Sequence, residues 1–178
     1  MQTLRTERLI LKPYSEEDIP KLVELLGARE VAATTLRIPH PYTEAHAREF
    51  IESQVSPASK YGMFESATGE LVLIGGIGLS LYEQHRRAEL GYWVGLPYWG
   101  KGYATEAARE MVRHGFEDLK LNRIVAGVFG GNQASVRVLE KAGFKHEGTL
   151  RQHFIKVDKF VDDELFAILA SEWKAQHL

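Results

Sequence analysis

Gly100-Lys101-Gly102 stands between a strand-like run and a helical one. From Ala88 onward, Leu90, Tyr92 and Val94 alternate with Glu89, Gly91 and Trp93, the period of a half-buried strand, and Gly95-Leu96-Pro97 ends it. Past the glycines, Ala104, Ala107, Ala108, Met111, Val112, Gly115 and Phe116 recur at helical spacing, leaving Glu106, Arg109, Glu110, Arg113 and Glu117 outside the stripe. Glycines at such a junction permit positive φ and let an anion approach the N–H groups that a first helical turn leaves unpaired. The helix dipole adds about 0.3–1 kcal/mol per charge, or about 2 kcal/mol when partly buried. Lys101 adds a mobile cation. The chemistry these residues offer is the holding of a phosphate-like anion, although a turn that merely joins strand to helix fits the same three residues.

Two other phosphate loops do not fit. Gly95-x4-Gly100-Lys101 resembles a nucleoside-triphosphate loop one residue short, but Gly102 replaces the hydroxyl that would hold magnesium. Pro97 and Trp99 are poor residues for wrapping phosphates. A dinucleotide loop needs a third small residue where Thr105 stands.

The elements that must hold this loop follow from patterning. Leu9 and Leu11 alternate with Arg8, Ile10 and Lys12 as a first strand. Ser15 precedes three acids and a stripe of Ile19, Leu22, Val23 and Leu26, a helix that starts nearer Pro20 because proline cannot donate to a preceding turn. Residues 31–42 carry few regular signals, and His40-Pro41-Tyr42 reads as a rigid turn. Thr43 caps a second helix over 44–53, and a polar loop with Ser56-Pro57 leads to a strand over 61–65. A hairpin turn at 66–70 and a buried strand over 71–80 follow. After the central helix come a strand at 123–129, a helix at 132–142 closed by Gly143, a strand at 144–156, the turn Val157-Asp158-Lys159, a strand at 160–169 and a short helical end near Trp173. The expected class is α/β, a single domain over residues 1–178 with a mixed, mostly antiparallel sheet of about seven strands flanked by about four helices.

Composition bounds the function. A chain of 178 residues buries roughly 70% of its unfolded surface in one domain. The absence of cysteine removes thiol nucleophiles and cysteine-ligated zinc, and fits a reducing compartment. Twenty-two basic and 24 acidic residues, net −2 and well mixed, give no basic stripe for nucleic acid. Seven histidines lack ligand spacing, so no metal is expected. No apolar run reaches transmembrane length and the first residues lack a leader pattern. A cytoplasmic chain without a membrane partner is expected.

The central stretch resembles the acetyl-CoA-binding segment of the GCN5-related N-acetyltransferases (GNAT), whose loop is written Gln/Arg-x-x-Gly-x-Gly/Ala. The frame here is Trp99-x-x-Gly102-x-Ala104, so Trp99 departs from the pattern. Further pieces are Thr6-Glu-Arg-Leu-Ile-Leu, Glu89-Leu-Gly-Tyr-Trp, Gly100-Lys-Gly-Tyr-Ala-Thr-Glu-Ala, Asn132-x-x-Ser135, Glu140-Lys-Ala-Gly-Phe144 and Glu172-Trp173. Together they look like the ribosomal-protein N-terminal branch (RimJ/RimL type) over nearly the whole chain. The resemblance implies acetyl-CoA as cosubstrate, no metal, and acetyl transfer by direct attack of a primary amine on the thioester, the amine being a protein or peptide N-terminus. It implies that the pantetheine arm lies along Trp93 and Val94 with Asn132 beside it. The pyrophosphate would lie over Trp99, Gly100, Lys101, Gly102, Tyr103, Ala104 and Thr105.

Such a transfer needs a neutral amine, a stabilised oxyanion and a proton for the departing thiolate. Glu89, a carboxylate in an otherwise apolar or small strand, is expected to be half buried, with a raised pKa, and to act as general base through water. The alternatives are a solvent-face charge or a partner for Arg86 or Arg87. A strand-edge N–H near Val94 is the expected oxyanion donor, a contact worth about 2.7–4 kcal/mol. Where many family members place a tyrosine seven residues beyond Asn132, this chain has Leu139. The resemblance passes the acid role to Ser135, whose alternative is helix capping, with Tyr103 and Tyr98 in reserve.

Neutralising an α-amine of pKa near 8 costs about 1 kcal/mol at pH 7, against about 4.6 for a lysine near 10.4. One hydrated carboxylate suits the easier amine. Residues 32–42 and the 157–159 turn, with Arg37, His40, Asp158 and Lys159, are expected to meet the acceptor. A small metabolite, antibiotic or toxin amine is the alternative acceptor, and a non-catalytic acyl-CoA-binding module the alternative class. The last hairpin's edge suits either a monomer or a homodimer.

Overall fold

In the computed structural model, which describes residues 3–36, 38–53, 60–66, 69–156 and 158–177, runs of one to three strands are interleaved with runs of one to three helices. The order is β1 (Leu4–Arg5), β2 (Leu9–Lys12), α1 (Ile19–Leu26), α2 (Arg29–Ala33), α3 (Glu44–Glu52), β3 (Lys60–Glu65), β4 (Val72–Tyr82), β5 (Arg87–Val94), α4 (Tyr103–Glu117), β6 (Arg123–Phe129), α5 (Gln133–Lys141), β7 (Lys145–Lys156), β8 (Lys159–Leu169) and α6 (Ala170–His177). Eight strands in the order β1-β2-β3-β4-β5-β6-β8-β7 make one mixed sheet. The α/β expectation holds, with one strand and two helices more among the described residues. The additions are the two-residue β1 and the five-residue α2, too short to show a period, and α6, the short helical end expected near Trp173, which stands as a helix of its own. Arg37, Ser56-Pro57, the middle of the 66–70 turn and Val157 lie outside the described residues.

By contact the chain divides into two units, Met1–Gly78 with Tyr92–Ala107, and Leu79–Gly91 with Ala108–Leu178. The first has a core of Tyr14, Ile19, Leu22, Leu26, Val31, Tyr42, Ala47, Phe64 and Leu73. Its helices start as their sequences dictate. The Asp18 carboxylate accepts from the Ser15 backbone N–H at 2.7 Å, and α1 begins one residue before Pro20. The Thr43 hydroxyl accepts from the His46 N–H at 3.3 Å to cap α3.

The second unit is built on β6. It pairs antiparallel with β8, Ile124 facing Ile168 and Ala126 facing Phe166, and parallel with β5 at Arg87↔Arg123, Ala88↔Ile124 and Glu89↔Val125. Met111, Val112 and Phe116 of α4 are buried, as the stripe requires. Each such side chain contributes about 1.5–3 kcal/mol on leaving water. A Cβ on Gly115 would stand 2.7 Å from Ile124 Cδ1, so a side chain there would have to displace the tip of Ile124.

Candidate functional site

In the first unit, β5 ends in a 3₁₀ turn over Leu96–Tyr98, closed by Tyr98 N–H to Gly95 O at 2.9 Å. The indole N–H of Trp99, 41% exposed, donates back to Val94 O at 2.6 Å and ties the loop to the strand. Gly100 and Gly102 then take φ of +74° and +85°, values that an L side chain resists. Nothing lies within 4 Å of where a Cβ on Gly100 would stand. α4 follows, with Glu106 N–H bonding Gly102 O at 3.1 Å, and its first-turn N–H groups have no intrahelical acceptor. Lys101 Nζ stands 5.3 Å over the Tyr98 ring.

Side chains brace this loop from behind. Glu106 accepts from Thr6 Oγ1 at 2.6 Å, from the Arg8 N–H at 2.8 Å and from Arg8 Nε at 2.7 Å. Arg8 also donates from Nη1 to Lys101 O at 3.0 Å. The Tyr103 hydroxyl donates to Glu65, and that bond above all pushes the phenol's pKa up. Tyr103 therefore holds its proton tightly and serves the fold better than it would serve as an acid. At the end of β5, a Cβ on Gly75 would stand 2.5 Å from Trp93 O, so β4 approaches Trp93 through a bare position. The Trp93 indole bonds the hydroxyl of Tyr14, a phenol pushed far up by burial.

In the second unit, Glu89 is the last residue of β5 paired with β6. It is exposed, a correction to the half-buried carboxylate expected. The alternation that buries Ala88 and Leu90 puts Glu89 on the open face. The arginines beside it are engaged elsewhere. Arg86 donates to Lys120 O from Nε at 3.1 Å and Nη2 at 2.7 Å, and the Arg87 guanidinium lies 4.2 Å from the Tyr82 ring centre. The buried carboxylate here is Asp163 of β8, 5% exposed. Its Oδ1 lies 2.7 Å from the position of a Cβ on Gly127, so the carboxylate rests on a bare stretch of β6. Burial pushes its pKa up and the charge of Glu89 adds to that, against His153 and the Val128 N–H. Asn132 caps α5, its Oδ1 accepting from the Ser135 N–H at 3.2 Å. No cluster with metal-ligating spacing occurs among the described residues.

Residues 8–145 match the family model described as an acetyltransferase (GNAT) domain. The chain belongs to the GNAT acetyltransferase family. It is 34% identical over 180 residues to a Bacillus licheniformis protein named uncharacterized N-acetyltransferase p20, covering 97% of this chain and 99% of that protein. A Bacillus subtilis protein, YdaF, which bears the name of a ribosomal N-acetyltransferase, is 35% identical over 105 residues, 58% of this chain and 57% of that one. The crystal structure of a GNAT-family acetyltransferase from Bacillus anthracis superposes with a TM-score of 0.86 at 27% identity, covering 96% of this chain and 99% of that one.

GNAT acetyltransferases use acetyl-CoA to acetylate amines, and the residues of this GNAT fit the diphosphate of that cosubstrate: left-handed glycines, open space over Gly100, and a helix start behind them. Were acetyl-CoA held there, it would supply an activated acyl group. Trp93, Val94, Trp99, Gly100, Lys101, Gly102, Tyr103, Ala104 and Thr105 all fall in the first unit. Glu89, Asn132 and Ser135 fall in the second. Trp99 stands where the family pattern has Gln or Arg, and its bond to Val94 O gives that departure a structural use. Sequence reasoning missed Arg8, Glu65 and Asp163. Arg8 and Glu106 were visible as parts of family-like pieces, without a sign that they meet.

Proposed function

We propose that this GNAT acetylates the N-terminal α-amine of a protein or peptide, with Glu89 as general base through water and Ser135 as the proton donor to the leaving thiolate. The observation that carries the reading is Glu89 itself: an exposed carboxylate at the end of the β5–β6 pairing, its arginine neighbours turned to other partners. One carboxylate working through water suits an amine of pKa near 8, whose deprotonation at pH 7 costs about 1 kcal/mol, better than a lysine. YdaF's name is consistent with that acceptor. Asn132 sets Ser135 in the first turn of α5 by capping it, which fixes where the hydroxyl begins. In this reading acetyl-CoA lies with its diphosphate on Gly100–Gly102 and the protein acts in the cytoplasm. Among the described residues no helix is long and apolar enough to cross a membrane.

The test is thiol release from acetyl-CoA with three acceptor sets: lysine-free peptides with open Ser or Ala N-termini, N-blocked peptides containing lysine, and a panel of small amines. Release with the first set alone is the expected result. Release with small amines alone would replace the peptide acceptor, and CoA binding without release from any set would leave a non-catalytic binding module or an acceptor outside the three sets.

A further inference from the structure

Two sequence pieces that marked the family, Thr6-Glu-Arg8 and Thr105-Glu106, stand 98 residues apart at their point of contact, the Arg8 N–H to Glu106 bond. Both oxygens of Glu106 are engaged by this contact. Oε1 accepts from Thr6 Oγ1 at 2.6 Å and the Arg8 N–H at 2.8 Å, and Oε2 accepts from Arg8 Nε at 2.7 Å and pairs with Nη2 at 2.7 Å. The same guanidinium reaches forward. Its Nη1 donates to Lys101 O at 3.0 Å, and its Nη2 lies 3.5 Å from where a Cβ on Gly102 would stand. Its carbon lies 4.6 Å from the Tyr103 ring centre.

The arrangement meets two demands of a diphosphate site. The first is shape. Lys101 lies between two left-handed glycines, and glycine specifies no single conformation by itself. A bond to the Lys101 carbonyl fixes that peptide's plane, and so the direction of the Gly102 N–H that shares it. The second is charge. Glu106 lies in the first turn of α4, where a carboxylate favours the helix dipole but repels a bound phosphate. Burial pushes the Glu106 carboxyl up, yet the bonds from Thr6 and Arg8 and the arginine's charge outweigh it and hold the group below the usual carboxylate range. It is therefore an anion whenever the protein works.

We propose that Arg8 is a positioning residue for the cosubstrate's diphosphate: by gripping Glu106 and the Lys101 carbonyl together, it sets the Gly100–Gly102 turn and cancels the carboxylate's repulsion of the incoming anion. The proposal rests on the assignment of this loop to acetyl-CoA. Arg8 acts through the loop and takes no part in acyl transfer. The planar two-armed guanidinium matters because lysine supplies one point charge and cannot hold both acceptors in plane.

The experiment is calorimetric titration of CoA into the unaltered chain and into Arg8→Ala, Arg8→Lys, Glu106→Gln and the double variant Arg8→Ala with Glu106→Gln, each checked by thermal melting. Arg8→Ala is expected to weaken CoA binding about tenfold or more, a change of about 1.4 kcal/mol. Arg8→Lys should fall between Arg8→Ala and the unaltered chain, and guards the test should the alanine variant melt early. The double variant should recover part of the loss, because a neutral amide at position 106 no longer repels the diphosphate. CoA binding by Arg8→Ala within twofold of the unaltered chain overturns the proposal. So does a double variant no better than Arg8→Ala, since Arg8 would then act by direct contact or through the fold alone. Failure of the unaltered chain to bind CoA overturns the loop assignment itself, an outcome distinct from the other two.

Discussion

The Gly100–Gly102 loop and the sheet face that carries Glu89 treat charge in opposite ways. At the loop, carboxylates are matched: Glu106 by Thr6 and Arg8, Glu65 by the Tyr103 hydroxyl. On the Glu89 face the matching is incomplete. Arg86 and Arg87 are committed elsewhere, and the burial of Asp163, to which the charge of Glu89 adds, is offset only in part by His153 and the Val128 N–H. The contrast separates two tasks. A binding surface works best when its own charges are cancelled before the ligand arrives, whereas proton transfer needs ionisable groups left in an unbalanced field.

Three substitutions break or sharpen that contrast. The largest effect is expected from Glu89→Gln, which should lower kcat about 10²–10⁴-fold, the usual loss with a general base, while calorimetry shows CoA affinity unchanged. Unaltered thiol release in this variant would remove Glu89 from the chemistry. Next comes Gly102→Val. A side chain at φ +85° costs about 1–3 kcal/mol in strain, so CoA should bind about 10–100-fold more weakly with kcat at saturation little changed. If kcat fell and affinity stayed, the division between binding loop and chemical face would be wrong.

The smallest effect concerns Asp163, and its sign is set by burial. Because the folded carboxyl holds its proton more tightly than the unfolded one, its penalty to stability is absent below the ordinary Asp range near pH 4 and full above the raised folded value. Asp163→Asn should therefore raise Tm at pH 7 by about 2–4 °C, the shift produced by about 1 kcal/mol in a chain of this size. The gain should shrink as the pH falls toward 4. A gain independent of pH would trace the effect to packing over Gly127 instead of to charge.

The parts legible in the sequence are those governed by neighbours along the chain. Gly100 and Gly102, the Thr43 and Asn132 caps, the start of α1 beside Pro20 and the buried stripe of α4 are local rules, and each stands where the rules put it. α2 escaped because five residues hold less than two turns, too few to display a period. Glu89 was read one degree too deep because alternation gives a residue's face but not how well that face is covered. Asp163 and Arg8 escaped for a different reason. The burial of Asp163 depends on a bare Gly127 across the strand pair, and the role of Arg8 depends on a carboxylate 98 residues away; neither distance is written in the chain's local pattern.

The pairing of Arg8 with Glu106 also places an event in time. During synthesis the chain grows by about 5–20 residues per second, so the 98 residues between the Arg8 N–H and its acceptor take about 5–20 s to make. Through that interval the N-terminal strands exist without the carboxylate that Arg8 will hold. A nascent chain halted before residue 106 has the glycines of the loop and the first residues of α4 but not the charge pair, which forms only once residue 106 has been made.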